Sequence, residues 1–389
     1  MQLQLPEPSH DALTASRALQ THIANDIRHH SGWISFARYM ELALYAPGLG
    51  YYSGGAAKLG KDGDFTTAPE ITPLFGRTLA HVAAELMAQS APQIIEFGAG
   101  TGKLAFDILT ELSDMGVSLH RYLIVELSGE LRARQEKTLR GFPQVRWLDW
   151  LPPAFSGAVL GNEVLDAMPV HVVIKTAQGW KERGIGLSGV ASTRFVYRDR
   201  HCDPALVAQI PDADLLPVGY MTEVHPIASA FMTSVARMLN AGFQDSGLGG
   251  AALFLDYGFP AHEYYLSQRM QGTLMCHYRH HAHDDPLYLP GLQDITAHVD
   301  FTAMARAAID AGLDLLGYTS QASFLLNAGI GDLLMRTPAS DELRYLPQAN
   351  AMQRLVSPAE MGELFKALVV GTHVSLPKRL LSNDRCSRL

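Results

Sequence analysis

The chain has 389 residues, of which 47% are apolar and 18% are charged. This composition excludes a disordered or fibrous protein, and the length corresponds to one enlarged domain or two ordinary ones. The formal net charge of -8 argues against a nucleic-acid-binding scaffold. The three cysteines, Cys202, Cys276 and Cys386, lie far apart, which fits neither a disulfide framework nor a CxxC zinc site.

The sequence contains no apolar run of the roughly 18 residues that a membrane-spanning helix needs. Its first residues, MQLQLPEPSHDALTAS, lack the pattern of a signal peptide and that of a mitochondrial presequence. We therefore expect a cytoplasmic protein that binds neither membranes nor nucleic acids. The low charged fraction and the many aromatic residues are compatible with a homodimer, which composition alone does not establish.

Residues 1–90 show helical periodicity interrupted by a long glycine-rich loop. Apolar residues recur at three- or four-residue spacing in three stretches: Leu19, Ile23 and Ile27; Phe36, Met40 and Leu44; Phe75, Leu79, Val82 and Leu86. The loop between the last two stretches is flanked by Tyr45, Tyr51, Tyr52 and Phe65. Long loops in compact domains are usually functional or disordered. We expect residues 1–90 to form a helical and loop extension that covers a ligand or partner.

From residue 91 short apolar strands alternate with helices, which is typical of an α/β fold with a Rossmann-like parallel sheet. The five predicted strands are QIIEFG, RYLIVE, QVRWLD, GAVLGNE and AALFLDYG, and two late strands, LDLLGYTS and KALVVG, extend the sheet with an antiparallel edge. Residues 91–389 form this domain, with insertions at about 172–220, read as antiparallel strands, and 260–300. A helix is predicted to follow Thr222 and to end at Gly242, and another to cover 358–366.

The strongest local signal is IIEFGAGTGKLA, in which a strand ends at Glu96 and a helix opens after three alternating glycines. Gly98, Gly100 and Gly102 allow positive φ angles and let the backbone lie against a ligand. The helix start behind them offers free N–H groups. Three glycines at such a junction indicate a binding loop.

The spacing separates three ligand classes. A P-loop needs GxxxxGK followed by Ser or Thr, but Phe97 stands at the first glycine position and Leu104 at the hydroxyl position. A dinucleotide site wants GxGxxG, but Lys103 occupies the third glycine position, so this ligand is second choice. The pattern of an acid at 96 followed by GxGxG favours S-adenosyl-L-methionine.

Two further strand ends supply candidate cofactor contacts. Glu126 follows the next strand, where a carboxylate can accept hydrogen bonds from both ribose hydroxyls, although dinucleotides share that contact. Asp149 and Trp150 end the third strand, where an adenine base would lie. Alternatively, they form a strand-end turn with a half-buried tryptophan.

The fourth strand ends in GNEVLDAMPVH, which brings Asn162, Glu163 and Asp166 to the carboxyl edge of the sheet. An enzyme that methylates arginine needs carboxylates to hold the guanidinium fork and fix its orientation. Glu163 and Asp166 are the candidate catalytic residues. Alternatively, these carboxylates cap the following turn or contact the methionine ammonium of the cofactor.

The segment CHYRHHAHDD is rich in histidine, which raises the question of a metal site. Zinc sites need several side chains that converge tetrahedrally, and a histidine-rich loop can equally bind substrate or neighbouring carboxylates. We therefore assign no metal ligands. His277, Tyr278 and Tyr257 are candidate substrate contacts, and a core role for Tyr257 is the alternative.

These motifs together resemble the MidA-like class I methyltransferases, a family that includes a mitochondrial complex I assembly factor. The resemblance covers nearly the whole chain. It is carried by SFARYMELALYAPGLGYYS, GKDGDFTTAPEITPLFG, IIEFGAGTGKLA, GNEVLDAMPVH, FLDYGFPAHEYY and QGTLMCHYRHHAHDDPLYLPGLQDITAHVDF. It implies a seven-stranded class I methyltransferase sheet, S-adenosyl-L-methionine as donor, and a protein arginine as acceptor, such as one in a respiratory complex I subunit.

By the same resemblance, the loop that includes Thr66, Thr67 and Pro69 closes over the cofactor. The full set of candidate cofactor-binding residues is Glu96, Gly98, Ala99, Gly100, Gly102, Glu126, Leu127, Asp149, Trp150, Asn162, Thr66, Thr67 and Pro69. Two other functions remain open at this point. They are a nicotinamide-dependent oxidoreductase and a non-catalytic assembly chaperone on a methyltransferase fold.

Overall fold

The computed structural model describes residues 5–54, 66–189 and 191–389. The strands, in chain order, are β1 (Ile34–Ser35), β2 (Gln93–Phe97), β3 (Arg121–Val125), β4 (Val145–Leu148), β5 (Ala158–Asn162), β6 (His171–Thr176), β7 (Gly179–Leu187), β8 (Phe195–His201), β9 (Met221–Val224), β10 (Gly250–Phe259), β11 (Met275–Tyr278), β12 (His281–His283), β13 (Asp294–Thr296), β14 (Val299–Asp300), β15 (Asp314–Ser320) and β16 (Phe365–Thr372).

The helices are α1 (His10–His29), α2 (Phe36–Tyr45), α3 (Ala68–Ile71), α4 (Pro73–Met87), α5 (Lys103–Asp114), α6 (Gly129–Thr138), α7 (Pro204–Val207), α8 (Pro226–Ser246), α9 (Ala261–Tyr264), α10 (Phe301–Asp310), α11 (Gln321–Asn327), α12 (Ile330–Met335), α13 (Glu342–Val356) and α14 (Met361–Leu364). None of the helices in the described ranges combines the length and the apolar character that crossing a bilayer requires.

Several helices begin where a side-chain oxygen accepts a hydrogen bond from a first-turn N–H. Ser9 caps α1, Thr72 caps α4 just ahead of Pro73, and Ser128 caps α6. Such caps satisfy N–H groups that have no partner inside the helix. The starts of these helices are therefore encoded locally.

The chain divides into two compact units. The first contains residues 5–54 and the described parts of Asp166–Ala228 and Ala261–Ala303, and the second contains Thr66–Leu165, Ser229–Pro260 and Met304–Leu389. The predicted boundary near residue 90 falls inside the second unit, between α4 and β2. Most of both predicted insertions, 172–220 and 260–300, falls in the first unit.

The second unit is built on strands in the order β15-β16-β10-β5-β2-β3-β4. The five strands from β10 to β4 pair in parallel, and β16 runs antiparallel to both β10 and β15. The predicted seven-stranded α/β sheet with an antiparallel edge is confirmed. Since the chain leads from β2 to β3 on one side and from β5 to β10 on the other, the β2/β5 boundary is a topological switch point, where such sheets bind ligands.

The first unit holds antiparallel strands. Strand β7 pairs with both β6 and β1 along one edge and with β8 along the other, and β9 pairs with β6. In a smaller sheet, β11 pairs with β12 and β13. The apolar faces of α1 and α2 are buried in its core, as the spacing of Leu19, Ile23 and Ile27 predicts. The two or three antiparallel strands predicted between residues 171 and about 200 are confirmed as three, β6, β7 and β8.

The helix predicted to run from Thr222 to Gly242 is wrong at both ends. Residues Met221–Val224 form β9, and the helix α8 starts at Pro226 and continues to Ser246. Gly242 lies within α8. A larger residue would not fit there, because a Cβ would overlap the backbone carbonyl of Phe155. The glycine permits close packing and does not stop the helix.

Two elements near the carboxyl terminus also differ from the prediction. Helix α13 was not predicted, because Pro347 interrupts the helical pattern and only Leu355 is fully buried. Its other core-facing residues, Tyr345, Ala349, Met352 and Val356, are only partly buried. The helix predicted over 358–366 is the short α14, and β16 already begins at Phe365. Local periodicity gave too weak a signal in both places.

Candidate active site

The loop after β2 takes up left-handed backbone at all three glycines. The φ angles are 60° at Gly98, 52° at Gly100 and 82° at Gly102. Only glycine adopts this region without a steric cost. At Gly102, a Cβ would also lie 3.3 Å from the Cα of Gln135, so this glycine lets α6 pack against the loop. Helix α5 begins directly behind it, at Lys103.

Glu126 lies just past β3, and its carboxylate is held from two sides. One oxygen accepts the N–H of Ser128 at 2.9 Å, and the other accepts the Gln135 side-chain amide at 2.8 Å. Burial raises the pKa of Glu126, and these hydrogen bonds oppose the shift. The carboxylate is therefore fixed in orientation at the edge of the sheet.

Sequence reasoning missed Gln135, which links three parts of this edge. Its side-chain amide also donates to the carbonyl of Gly100 at 3.0 Å, and its carbonyl accepts the indole N–H of Trp147 at 2.9 Å. Gln135 is the buried residue of α6. A lone amide in a polar helix gives no sequence signal, so only the packing of α6 reveals its role.

Two apolar side chains at this edge are strongly exposed. Leu127 after β3 and Trp150 after β4 each expose 77% of their surface. Exposed apolar groups at adjacent strand ends suit a flat apolar ligand such as a purine. Their neighbour Asp149 forms an exposed ion pair with Arg132 at 3.1 Å.

Glu96 lies inside the sheet, with 1% of its surface exposed. It accepts a hydrogen bond from the hydroxyl of Tyr122 at 2.6 Å. Burial raises the pKa of Glu96 to about 8, because the ionised carboxylate loses its hydration. The assignment of Glu96 and of the adjacent Ala99 to the cofactor stays a prediction.

The end of β5 carries Asn162 and Glu163. The Asn162 side-chain N–H group donates to Glu163 Oε1 at 3.0 Å, whereas its buried Oδ1 has no hydrogen-bond partner among the described residues. Glu163 has a φ of 53°, which is uncommon for a residue other than glycine. Such backbone strain persists only where surrounding contacts enforce it.

The short helix α3 contacts both the glycine loop after β2 and the loop after β5. The backbone N–H of Ala68 donates to Glu163 Oε1 at 3.4 Å, and the Thr101 hydroxyl donates to Glu70 Oε1 at 2.5 Å. Thr66 and Thr67 precede α3, and Pro69 lies in its first turn. This segment therefore bridges the glycine loop and the β5 loop. Phe65, which was predicted to flank it, lies outside the described residues.

Two further residues of interest, Asp256 and Tyr257, lie near the end of β10. Tyr257 is half-buried, and its ring lies 5.3 Å from the ring of Phe365. Asp256 is 1% exposed, and its Oδ2 accepts the N–H groups of Val164 at 3.0 Å and Leu165 at 2.9 Å. Sequence reasoning singled out Tyr257 and overlooked Asp256.

Asp166, His277 and Tyr278 belong to the first unit. Asp166 is 5% exposed, and its carbonyl accepts the N–H of Ala297 at 3.0 Å. His277 and Tyr278 lie on β11, where Tyr278 is buried and the Arg279 guanidinium lies 5.5 Å from its ring. Across the described ranges, no group of three or more His, Cys, Asp or Glu side chains could hold a metal ion.

A sequence model of one family of S-adenosyl-L-methionine-dependent methyltransferases matches residues 74–319. The chain belongs to this family. The chain is also 30% identical to protein arginine methyltransferase NDUFAF7, mitochondrial, of Danio rerio, over 94% of this chain and 89% of that protein. It is 31% identical to the Bos taurus protein of the same name, over 90% of this chain and 82% of that one.

This methyltransferase is also similar to a solved structure. The crystal structure of a candidate methyl transferase from Burkholderia thailandensis, bound to S-adenosyl-homocysteine, is 51% identical, with a TM-score of 0.91, and covers 99% of this chain and 100% of that one. The predicted family, class I methyltransferase fold and S-adenosyl-L-methionine cofactor are confirmed. The nicotinamide alternative loses its basis.

One prediction about this methyltransferase is wrong. A cytoplasmic location was expected, but the Danio rerio, Bos taurus and Homo sapiens relatives are all named mitochondrial. Those names place the relatives in mitochondria and not in the cytoplasm.

Proposed function

We propose that this methyltransferase modifies an arginine side chain of a protein. The observation that carries the proposal is the strained backbone of Glu163, which places a carboxylate at the switch point of the sheet. Residues kept in strained backbone conformations cluster at functional sites. The name of the curated relatives, protein arginine methyltransferase, supports the choice of acceptor.

The side chains at the sheet edge fit the cofactor. Glu126 would accept the ribose hydroxyls, and the exposed Leu127 and Trp150 would pack against adenine, with Asp149 beside them. Within the part of the chain that the structure describes, the buried Oδ1 of Asn162 has no hydrogen-bond partner, and an ammonium donor such as that of the methionine moiety would supply one. Thr66, Thr67 and Pro69 would cover the bound cofactor, since α3 bridges the two loops.

Glu163 and Asp166 would hold the guanidinium of the acceptor. When bound, S-adenosyl-L-methionine supplies an electrophilic methyl group on its sulfonium. The enzyme must then orient one guanidinium nitrogen in line with that methyl group. A carboxylate paired with the other nitrogens fixes the fork and draws positive charge away from the reacting nitrogen. Tyr257, His277 and Tyr278 would contact the acceptor chain.

The acceptor protein is proposed to be a respiratory complex I subunit, and the enzyme is proposed to act as a homodimer. Light scattering of the purified protein measures the oligomeric state, and a single monomer peak contradicts the dimer.

The arginine proposal is tested by comparing the proteomes of cells with and without the gene by mass spectrometry. We expect one arginine methyl mark to disappear. A peptide that carries this arginine should then accept labelled methyl groups from S-adenosyl-L-methionine in vitro, while the same peptide with lysine should not. Loss of a mark on another residue type would reject arginine as the acceptor.

A further inference from the structure

The backbone around Glu163 shows how the loop after β5 is held. Strand β5 pairs in parallel with β10 up to Asn162, which lies opposite Leu255. The N–H of Glu163 then donates to the carbonyl of Leu255 at 2.9 Å, which extends the ladder by one bond. At Glu163 the chain turns, with a φ of 53°.

Asp256 follows Leu255 on β10, and its side chain binds the backbone just after the turn at Glu163. Its Oδ2 accepts the N–H groups of Val164 and Leu165, and its Oδ1 accepts the N–H of Tyr257 at 3.0 Å. Because only 1% of Asp256 is exposed, water competes little for these donors. Asp256 thus binds both N–H groups that follow the strained residue.

We propose that Asp256 is a positioning residue for methyl transfer, because it holds the backbone of Glu163 in the left-handed conformation that aims the Glu163 carboxylate. The proposal rests on the proposed role of Glu163. Without these hydrogen bonds, Glu163 would relax to an ordinary φ, and its carboxylate would lose the hydrogen bonds that it accepts from the Asn162 side chain and the Ala68 N–H.

The chemistry of the contacts requires a carboxylate. Its two oxygens accept three N–H groups, two on Oδ2 and one on Oδ1. An asparagine at 256 has one acceptor oxygen and one NH2 group, so a donor would face at least one N–H. The substitution Asp256→Asn therefore perturbs the loop while it keeps the size of the side chain.

The test is a double-mutant cycle in methyl transfer with Asp256→Asn, Glu163→Gln and the double variant. We expect Asp256→Asn to lower kcat at least about tenfold, since small misplacements of reacting groups are costly. The dissociation constant for S-adenosyl-L-methionine should change less than about threefold. The double variant should be no slower than Glu163→Gln alone, because Asp256 acts through Glu163.

Each outcome is decisive. If Glu163→Gln keeps the parental kcat, the proposed role of Glu163 fails. If Glu163→Gln is impaired but Asp256→Asn is not, or if the two losses multiply in the double variant, the positioning role fails. Glu111→Gln is the matched control, because Glu111 is a fully buried carboxylate of the same unit bonded to His81 and Arg336. It should lower Tm and leave kcat unchanged.

A second measurement applies even if Asp256→Asn is unstable. Hydrogen exchange is measured in the parent and in Asp256→Ser. The Val164 and Leu165 amides should exchange at least about tenfold faster in Asp256→Ser than in the parent, while the amides inside β10 stay protected in both. Equal protection of the two loop amides in both proteins would overturn the proposal.

Discussion

The loops after β2 and β5 leave neighbouring strands, and both use left-handed backbone. In the first loop, glycines supply that conformation at positions 98, 100 and 102. In the second, Glu163 adopts it despite its side chain, and Asp256 on another strand binds the N–H groups that follow. The first loop is encoded by its own residues, whereas the second is enforced by the tertiary structure.

The buried acids beside the two loops differ in their hydrogen-bond partners. Glu96, at the end of β2, accepts a hydrogen bond from Tyr122, and burial raises its pKa to about 8. Asp256, at the end of β10, accepts three backbone N–H groups. The partner of Glu96 thus lies on the neighbouring strand, whereas two of the N–H groups bound by Asp256 belong to the loop after β5. The following predictions test this contrast.

Gly100→Val should have the largest effect, a loss of S-adenosyl-L-methionine affinity of at least about 100-fold with the fold retained. A β-branched residue does not tolerate a φ of 52°, so the loop must move. Calorimetric titration measures the affinity, and circular dichroism checks the fold. Gly116→Val is the control: Gly116 also has positive φ but lies after α5 with no atoms near its Cβ. Equal affinities for Gly100→Val and the parent would refute the assignment.

Glu96→Gln should change how stability depends on pH. In the unfolded chain the Glu96 carboxyl ionises near pH 4.5, but in the folded protein it stays protonated up to about pH 8. The parent's free energy of unfolding therefore falls as pH rises through this window, by roughly 1 kcal/mol per unit. Glutamine removes this contribution, so the variant should gain stability relative to the parent by about 2 kcal/mol from pH 6 to 8. Parallel urea-unfolding profiles would contradict it.

Thr101→Val should lower cofactor affinity by roughly fivefold, because the hydroxyl that α3 uses to hold the glycine loop is lost. The change keeps the β-branched shape. Thr110→Val is the matched control, since the Thr110 hydroxyl donates only within its own helix, to the Phe106 carbonyl. If both variants bind S-adenosyl-L-methionine equally well, the contact between α3 and the loop does not support binding.

Glu163→Gly should have the smallest effect on stability, a gain of up to about 1 kcal/mol, because glycine relieves the positive φ. Methyl transfer should be lost at the same time. Chemical denaturation and a single-turnover assay measure the two effects. A clear loss of stability would show that Glu163 is not strained in the native protein.

The positions of the parallel strands and of the glycine loop could be predicted because their signals are local. Short apolar runs, cap residues and GxGxG lie within a few residues of the structure that they specify. Strand β9 and the start of α8 could not, since Val224 fits a helical face as well as a strand. The pairing of β9 with β6 decides between them.

The amino-acid sequence by itself determined the α/β fold, the glycine loop after β2 and the position of Asn162 and Glu163 at the end of β5. Only the tertiary structure decided the roles of Gln135 and Asp256, because both act across strands and helices that are distant in the chain. A buried polar side chain is recognised by its partners, and folding brings those partners together.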